Sequence, residues 1–267
     1  MPYLLMVIEL IMALFEDRVE AAEQLARRVQ EWLDNNDKNI EVTRQRPKLE
    51  GWESQNDNDE FIVLAIPRGG VVIGDIVSNM LHAKLDIVVS RKIGAPDNPE
   101  LAIGAVMPDG SYFLNQDIAN MLNVPKYYIT EQSNIQKKEI ERRLQSFRGQ
   151  NSDYYHDYNN FEEKTVILVD DGIATGATIL SAAQWLKTKQ NCCKILIIAA
   201  PVAPPSPPSM QSSNEDIVGK LNHIADKVIV LYRPEPFYSV GQFYEHFEQV
   251  EDAGVKEIMK RHRYRPM

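Results

Sequence analysis

Four apolar residues, Val166, Ile167, Leu168 and Val169, run into two adjacent carboxylates, Asp170 and Asp171. A loop of small residues follows: Gly172, Ile173, Ala174, Thr175, Gly176, Ala177 and Thr178. Like charges side by side repel, so the pairing needs a reason in what it binds. Neighbouring carboxylates can accept hydrogen bonds from a vicinal diol. A glycine-bearing loop that opens a helix offers free N–H groups and close backbone approach to a phosphate dianion, and Thr175 and Thr178 add hydroxyl donors. A plain helix cap needs one such residue. Here two threonines and two glycines fall within seven positions, which favours an anion site. Diol and phosphate held on one strand, loop and helix describe a ribose 5-phosphate.

Two other loops could complete such a site. Pro67-Arg68-Gly69-Gly70 follows one apolar run and Arg91-Lys92-Ile93-Gly94 follows another, so both supply fixed positive charge and bare backbone. The acids after an apolar strand could also be the metal-binding strand of a P-loop ATPase. That chemistry needs a Gly-x-x-x-x-Gly-Lys-Ser/Thr loop, and the chain contains none.

These residues must be positioned by regular elements. Val19, Ala22, Leu25, Ala26, Val29 and Leu33 recur at helical spacing, which predicts an amphipathic helix over 16–33. Short apolar runs at 61–66, 86–90, 165–169, 194–199 and 227–231 read as buried strands. Helical segments at 71–81 and 177–187 fall between them, with a long polar helix at 126–147. The alternation predicts an α/β fold with a doubly wound, mainly parallel five-stranded sheet flanked by helices. Ligands then bind beyond the carboxyl ends of the strands, where all three loops lie. The Gly- and Pro-rich stretch 93–116 reads as a flexible hairpin, and 203–209 as a rigid proline loop rather than a Pro-x-x-Pro ligand.

The composition is that of a soluble globular protein, 44% hydrophobic and 25% charged, with a net charge of −9. That charge repels nucleic acid and anionic membrane, so neither is an expected partner, and a phosphorylated ligand requires a local positive site. Adjacent Cys192 and Cys193, without metal-ligand spacing, read as reduced buried thiols of a cytoplasmic protein. The apolar start, residues 1–15, carries Glu9 and lacks a basic leader and cleavage site. It reads as a packing segment, or as an over-extended start with Met12 as the true one.

The stretch VILVDDGIATGAT resembles the phosphoribosyl pyrophosphate signature of type I phosphoribosyltransferases. AIPRGG sits where that family has its pyrophosphate loop, and SRKIGAPDNPELAIGAV where it has a flexible lid. Together with PEPFYSVGQFY these are most similar to an uncharacterised prokaryotic branch of the superfamily, over about residues 15–248. The resemblance implies the type I fold in a single domain over 1–267, with a lid at 93–116. A Pro-rich loop and short helix would span 201–222, and a C-terminal hood 232–267. It also implies a Mg²⁺-dependent transfer of ribose 5-phosphate from phosphoribosyl pyrophosphate to a nitrogenous acceptor, in a protein that is often a homodimer.

Carried over by position, Asp170 and Asp171 would bind the ribose hydroxyls and hold the metal, Asp171 also through water. Residues 172–178 would hold the 5-phosphate. Arg68, Gly69, Arg91 and Lys92 would bind and neutralise the pyrophosphate, with a cis peptide expected between Arg68 and Gly69. Glu100 in the lid reads as structural or solvated, a direct role being the alternative. Members acting on 6-oxopurines carry a carboxylate in the phosphate loop where this chain has Ala174, which disfavours a hypoxanthine or guanine acceptor.

For the acceptor, Tyr232, Arg233, Glu235, Phe237, Tyr238 and Tyr244 are candidates, with packing as the competing role for Phe237 and Tyr244 and the better one for Phe247. His156, among Tyr154, Tyr155 and Tyr158, reads as surface, and the basic tail 256–265 as a solvated helix end. The alternative to an enzyme is a sensor that binds the donor without turnover. An intact lid favours catalysis, because a sensor has less need to exclude water.

Overall fold

The structure is a computed structural model that describes residues 13–41, 61–149, 161, 164–188, 193–206 and 216–263. The expectations for residues 1–12, for Cys192 and for His156 and its tyrosine neighbours lie outside these. Five apolar runs become the strands β1 (Phe61–Ala65), β2 (Lys84–Ile87), β6 (Thr165–Val169), β7 (Ile195–Val202) and β8 (Lys227–Tyr232). They pair in parallel, in the order β2-β1-β6-β7-β8. The central strands are apolar at nearly every position because both faces are covered. Val63, Ala65, Ile167, Val169, Ile197 and Ala199 face one core layer, and Ile62, Leu64, Val166, Leu168, Leu196 and Ile198 face the other.

Helices follow the strands. α1 (Arg18–Glu41) precedes the sheet, and its start is capped by Asp17, whose carboxylate accepts from the amides of Val19 and Glu20. α2 (Gly69–Met80) follows β1, α5 (Ala177–Thr188) follows β6, and the short α6 (Ile217–Asn222) precedes β8. α1 and α2 pack together, and α5 buries Trp185 and Leu186 in the second layer. α1 starts at Arg18 rather than at 16 and runs to Glu41 rather than to 33, since apolar periodicity reports the buried stripe and misses a polar terminal turn.

The stretch predicted as a hairpin is a three-stranded antiparallel sheet: β3 (Arg91–Ala95), β4 (Asn98–Val106) and β5 (Tyr112–Leu114). β3 was not expected as a strand. It has no apolar run, and its extended form comes from pairing with β4 through two register shifts around Gly94. α3 (Gln116–Met121), capped by Asn115, and α4 (Lys126–Arg148) lead back to the main sheet. Arg148 ends α4 in a buried pair with Asp86 of β2, at 2.6 Å. Cys193 is half-buried rather than buried, because it lies just before β7.

The chain closes with a 3-10 turn (Val240–Phe243) and α7 (Asp252–Arg263), which packs on α2, α4 and β2. Its far end is clamped to α2. The buried Asp75 accepts from Arg261 Nη2 at 2.9 Å, pairs with His262 Nε2 at 2.7 Å and accepts from Asn79 at 3.0 Å. Burial pushes the Asp75 carboxyl up, but His262 and Arg261 outweigh it and hold it below the ordinary 3.8. A depressed carboxylate stabilises above its ordinary value and stops doing so as pH falls through the lowered one. Asp75→Asn is therefore expected to lower unfolding stability by about 2 kcal/mol at neutral pH. The gap to wild type should close below about pH 4, as read by urea denaturation across pH. A gap constant down to about pH 3 would refute the clamp. Among the described residues, no helix is long and apolar enough to cross a membrane.

Candidate functional site

The register places the site. Ala65 at the end of β1 is paired with Val169 at the end of β6. The turn into α2 and the acidic pair therefore leave the same edge side by side, where strand order changes direction around β1. Their approach is so close that a Cβ on Gly69 would lie 1.8 Å from Asp171 Oδ2, and one on Gly70 would lie 3.0 Å from Asp170 Oδ1. A side chain at Gly69 would displace the Asp171 carboxylate.

Asp170 accepts from the Asp171 amide at 2.9 Å. Asp171 is braced twice. Its Oδ2 accepts from Arg18 Nε at 2.9 Å, and its carbonyl accepts from the Tyr244 hydroxyl at 2.6 Å. The Arg18–Asp171 pair is nearly out of solvent, at 10% and 16% side-chain exposure. Burial, and then the Asp171 charge, pushes Asp170 well up. Burial also raises Asp171, while Arg18 pulls it back. Burial and the two acids likewise push the Tyr244 hydroxyl up, so it stays a donor.

Beyond the acids the chain is pinned by Ile173, buried, whose amide donates to the Val202 carbonyl at 2.8 Å. Ala174, Thr175, Ala177 and Thr178 are exposed around the start of α5. Gly176 has φ +73°, the left-handed region that favours glycine, and a Cβ there would meet Ile217 at 2.1 Å. The result is a loop of small residues at a helix N-terminus, suited to a dianion.

The remaining sequence candidates are dispersed. Arg68 caps α2, and its Nη1 lies 3.5 Å from Asp252 and 4.0 Å from Glu251 at the start of α7. The non-proline cis peptide is Pro67–Arg68, one residue before the expected Arg68–Gly69 bond. Arg68 already has right-handed helical dihedrals and Gly69 opens α2, so the Arg68–Gly69 bond belongs to the helical start. Arg91 donates to Gln136 of α4 at 3.2 Å, and Lys92 pairs with the exposed Glu100 at 2.8 Å. Both are held on the small sheet, and Glu100 acts there as the lysine's counter-ion.

In the hood, Phe237 packs on Phe243, and Tyr244 packs between Phe15 and Phe247. Packing and a bond to Asp171 thus account for Tyr244. Arg233 is engaged by Asp216 and the Pro204 carbonyl. Tyr232 lies edge-on to Phe15 and half-exposed, while Glu235 and Tyr238 are open to solvent.

Arg18 was missed by sequence reading, although a signal existed. It falls one turn before Ala22 and two before Leu25 on the apolar stripe of α1, and a charge on such a stripe needs a buried partner. The acids fit a divalent cation of the hard, oxygen-loving kind. Mg²⁺ is commonly held by one or two carboxylates plus water and substrate phosphate. Among the described residues no three His, Cys, Asp or Glu side chains gather, so the fit is to a cation shared with a ligand.

Comparison with known proteins gives a consistent likeness. Residues 105–234 match the family model described as "Phosphoribosyl transferase domain", a range that contains the acids and the phosphate loop. Two curated Mycobacterium tuberculosis proteins, each named "Putative phosphoribosyl transferase", are 32% identical over 250 residues, covering 94% of this chain and 47% of theirs. The chain thus spans about half the length of the curated relatives it matches. A crystal structure from Thermus thermophilus is 28% identical with a TM-score of 0.63, covering 92% of this chain and 98% of that one.

Proposed function

Because this chain belongs to the type I phosphoribosyltransferase superfamily, we propose that it transfers ribose 5-phosphate from phosphoribosyl pyrophosphate to a nitrogenous acceptor and releases pyrophosphate. The observation that carries this reading is the direct succession of Asp170, Asp171 and the glycine–threonine loop at the end of β6, with the Gly69 turn packed on Asp171. Acids at that place suit ribose hydroxyls, and the loop suits the 5-phosphate a few residues on.

In this reading the bond from ribose C1 to the pyrophosphate oxygen breaks, and the pyrophosphate leaves with the electron pair. A bond from C1 to the acceptor nitrogen forms, and the proton lost by that nitrogen passes to solvent. Ala174 leaves no carboxylate in the loop to take it. Positive charge grows on the sugar, and the carboxylates of Asp170 and Asp171, set at its hydroxyls, would counter it. Negative charge grows on the leaving group. Arg68 would meet it after release from Glu251 and Asp252, and Lys92 after release from Glu100. A Mg²⁺ bound by the acids and the diphosphate would neutralise part of that charge. The β3–β4–β5 sheet would close over the reacting atoms and keep water from the activated sugar. Tyr232 and Glu235, exposed beside the β8 end, are left to face a planar base, whereas Phe237 packs.

The test is pyrophosphate release from phosphoribosyl pyrophosphate and Mg²⁺ across purines, pyrimidines and other nitrogenous acceptors. Release that depends on one acceptor class is expected. Donor binding by calorimetry without release in any arm would instead indicate a sensor, and no donor binding would refute the assignment of the site.

A further inference from the structure

Asp171 is held by both ends of the chain. Arg18, in the first turn of α1, donates Nε to Asp171 Oδ2 at 2.9 Å and Nη1 to the Glu248 carbonyl at 2.9 Å, and its guanidinium lies 3.7 Å from the centre of the Phe247 ring. Tyr244, stacked on Phe247 at 4.9 Å, donates to the Asp171 carbonyl. Residues 14–16 hydrogen-bond 243–246 along their backbones, so the N-terminal segment, Arg18 and residues 243–248 form one brace around a single carboxylate.

We infer that Arg18 is a positioning residue for sugar recognition. By fixing one oxygen of Asp171, it aims the acidic pair at the hydroxyls of a phosphorylated pentose. This rests on the donor-site reading above and adds a determinant from outside the strand and loops that carry the site. A planar guanidinium suits the role because its fork serves the carboxylate, the carbonyl and the ring face at once. The same residue could instead be a mere structural tie between chain ends. The two roles differ in what they do to separate parts of the ligand. A tie affects the whole edge, whereas a positioning residue affects hydroxyl binding and spares the phosphate loop, which is pinned independently through Ile173 and Val202.

The experiment compares ribose 5-phosphate and inorganic phosphate, by titration calorimetry, on wild type, Arg18→Gln, Arg18→Lys and Tyr244→Phe, with thermal melts as a check on folding. Arg18→Gln is expected to weaken ribose 5-phosphate by about tenfold or more and to leave inorganic phosphate within about twofold. Arg18→Lys, which keeps the charge but loses the fork, should fall between it and wild type, and Tyr244→Phe should weaken the sugar phosphate alone by about threefold. Equal loss of both ligands, or unchanged ribose 5-phosphate affinity in a folded variant, overturns the inference. If Arg18→Gln does not fold, the Lys and Phe variants decide by the same contrast. Wild type that binds ribose 5-phosphate no better than phosphate overturns the donor-site reading itself, a result distinct from the others.

Discussion

Replacing Asp170 and Asp171 by asparagine is expected to lower kcat/KM for pyrophosphate release about a thousandfold or more. Asparagine keeps the shape but removes the charge that, in the proposed reaction, would counter the developing positive sugar, and it would weaken a bound cation. The single variants should separate in stability while both lose activity. Asp170 is a half-buried acid beside another acid, its carboxyl pushed up by burial and that charge, so Asp170→Asn removes a repulsion and should leave stability unchanged or higher. Asp171→Asn leaves the guanidinium of Arg18 buried beside a neutral amide, at a cost of about 3 kcal/mol. Denaturation at neutral pH and steady-state kinetics read the two effects apart. Activity within about tenfold of wild type in the double variant would refute the assignment of the pair.

The second large effect concerns a residue with no side chain. Gly69→Ala would set a methyl 1.8 Å from Asp171 Oδ2 and 3.2 Å from Arg18 Nε, so one of the three must move. The flexible partner is the carboxylate, and its displacement breaks the Arg18 pair. Donor affinity is expected to fall about a hundredfold, with a stability loss of about 1–3 kcal/mol. Gly254→Ala is the control. Its Cβ would meet only Val250, at 3.8 Å, and removing a glycine from α7 should be neutral or slightly stabilising. A Gly69→Ala protein that binds the donor normally would show that the turn and the acids do not act together.

Some of this chain was readable before any coordinates. The strand–acid–acid–loop succession at 166–178 contains its own backbone program: apolar residues for a strand buried on both faces, glycines where backbone approaches closely, and a helix opening straight after. Such signals are local, carried by neighbours within a few residues, and so survive in the linear text. The five parallel strands were legible for the same reason. β3 was not, because Arg91–Ala95 has no apolar pattern and is extended only through β4. The hood aromatics could not be sorted either, since Phe237 and Tyr244 have the same composition whether they meet a ligand or the core.

What the sequence by itself determined is the chemistry on offer: paired acids running into a glycine–threonine loop, and cationic residues after two other apolar runs. What only the tertiary structure decided is how those groups are engaged. Arg18 and Asp171 are 153 residues apart, Arg68 finds its counter-charges at the start of α7, and Lys92 finds its own on β4. Propensity and periodicity act over a few residues. Which distant charge comes to rest beside which acid is set by how helices and strands bury their apolar faces, because a buried charge must take the partner that packing brings to it.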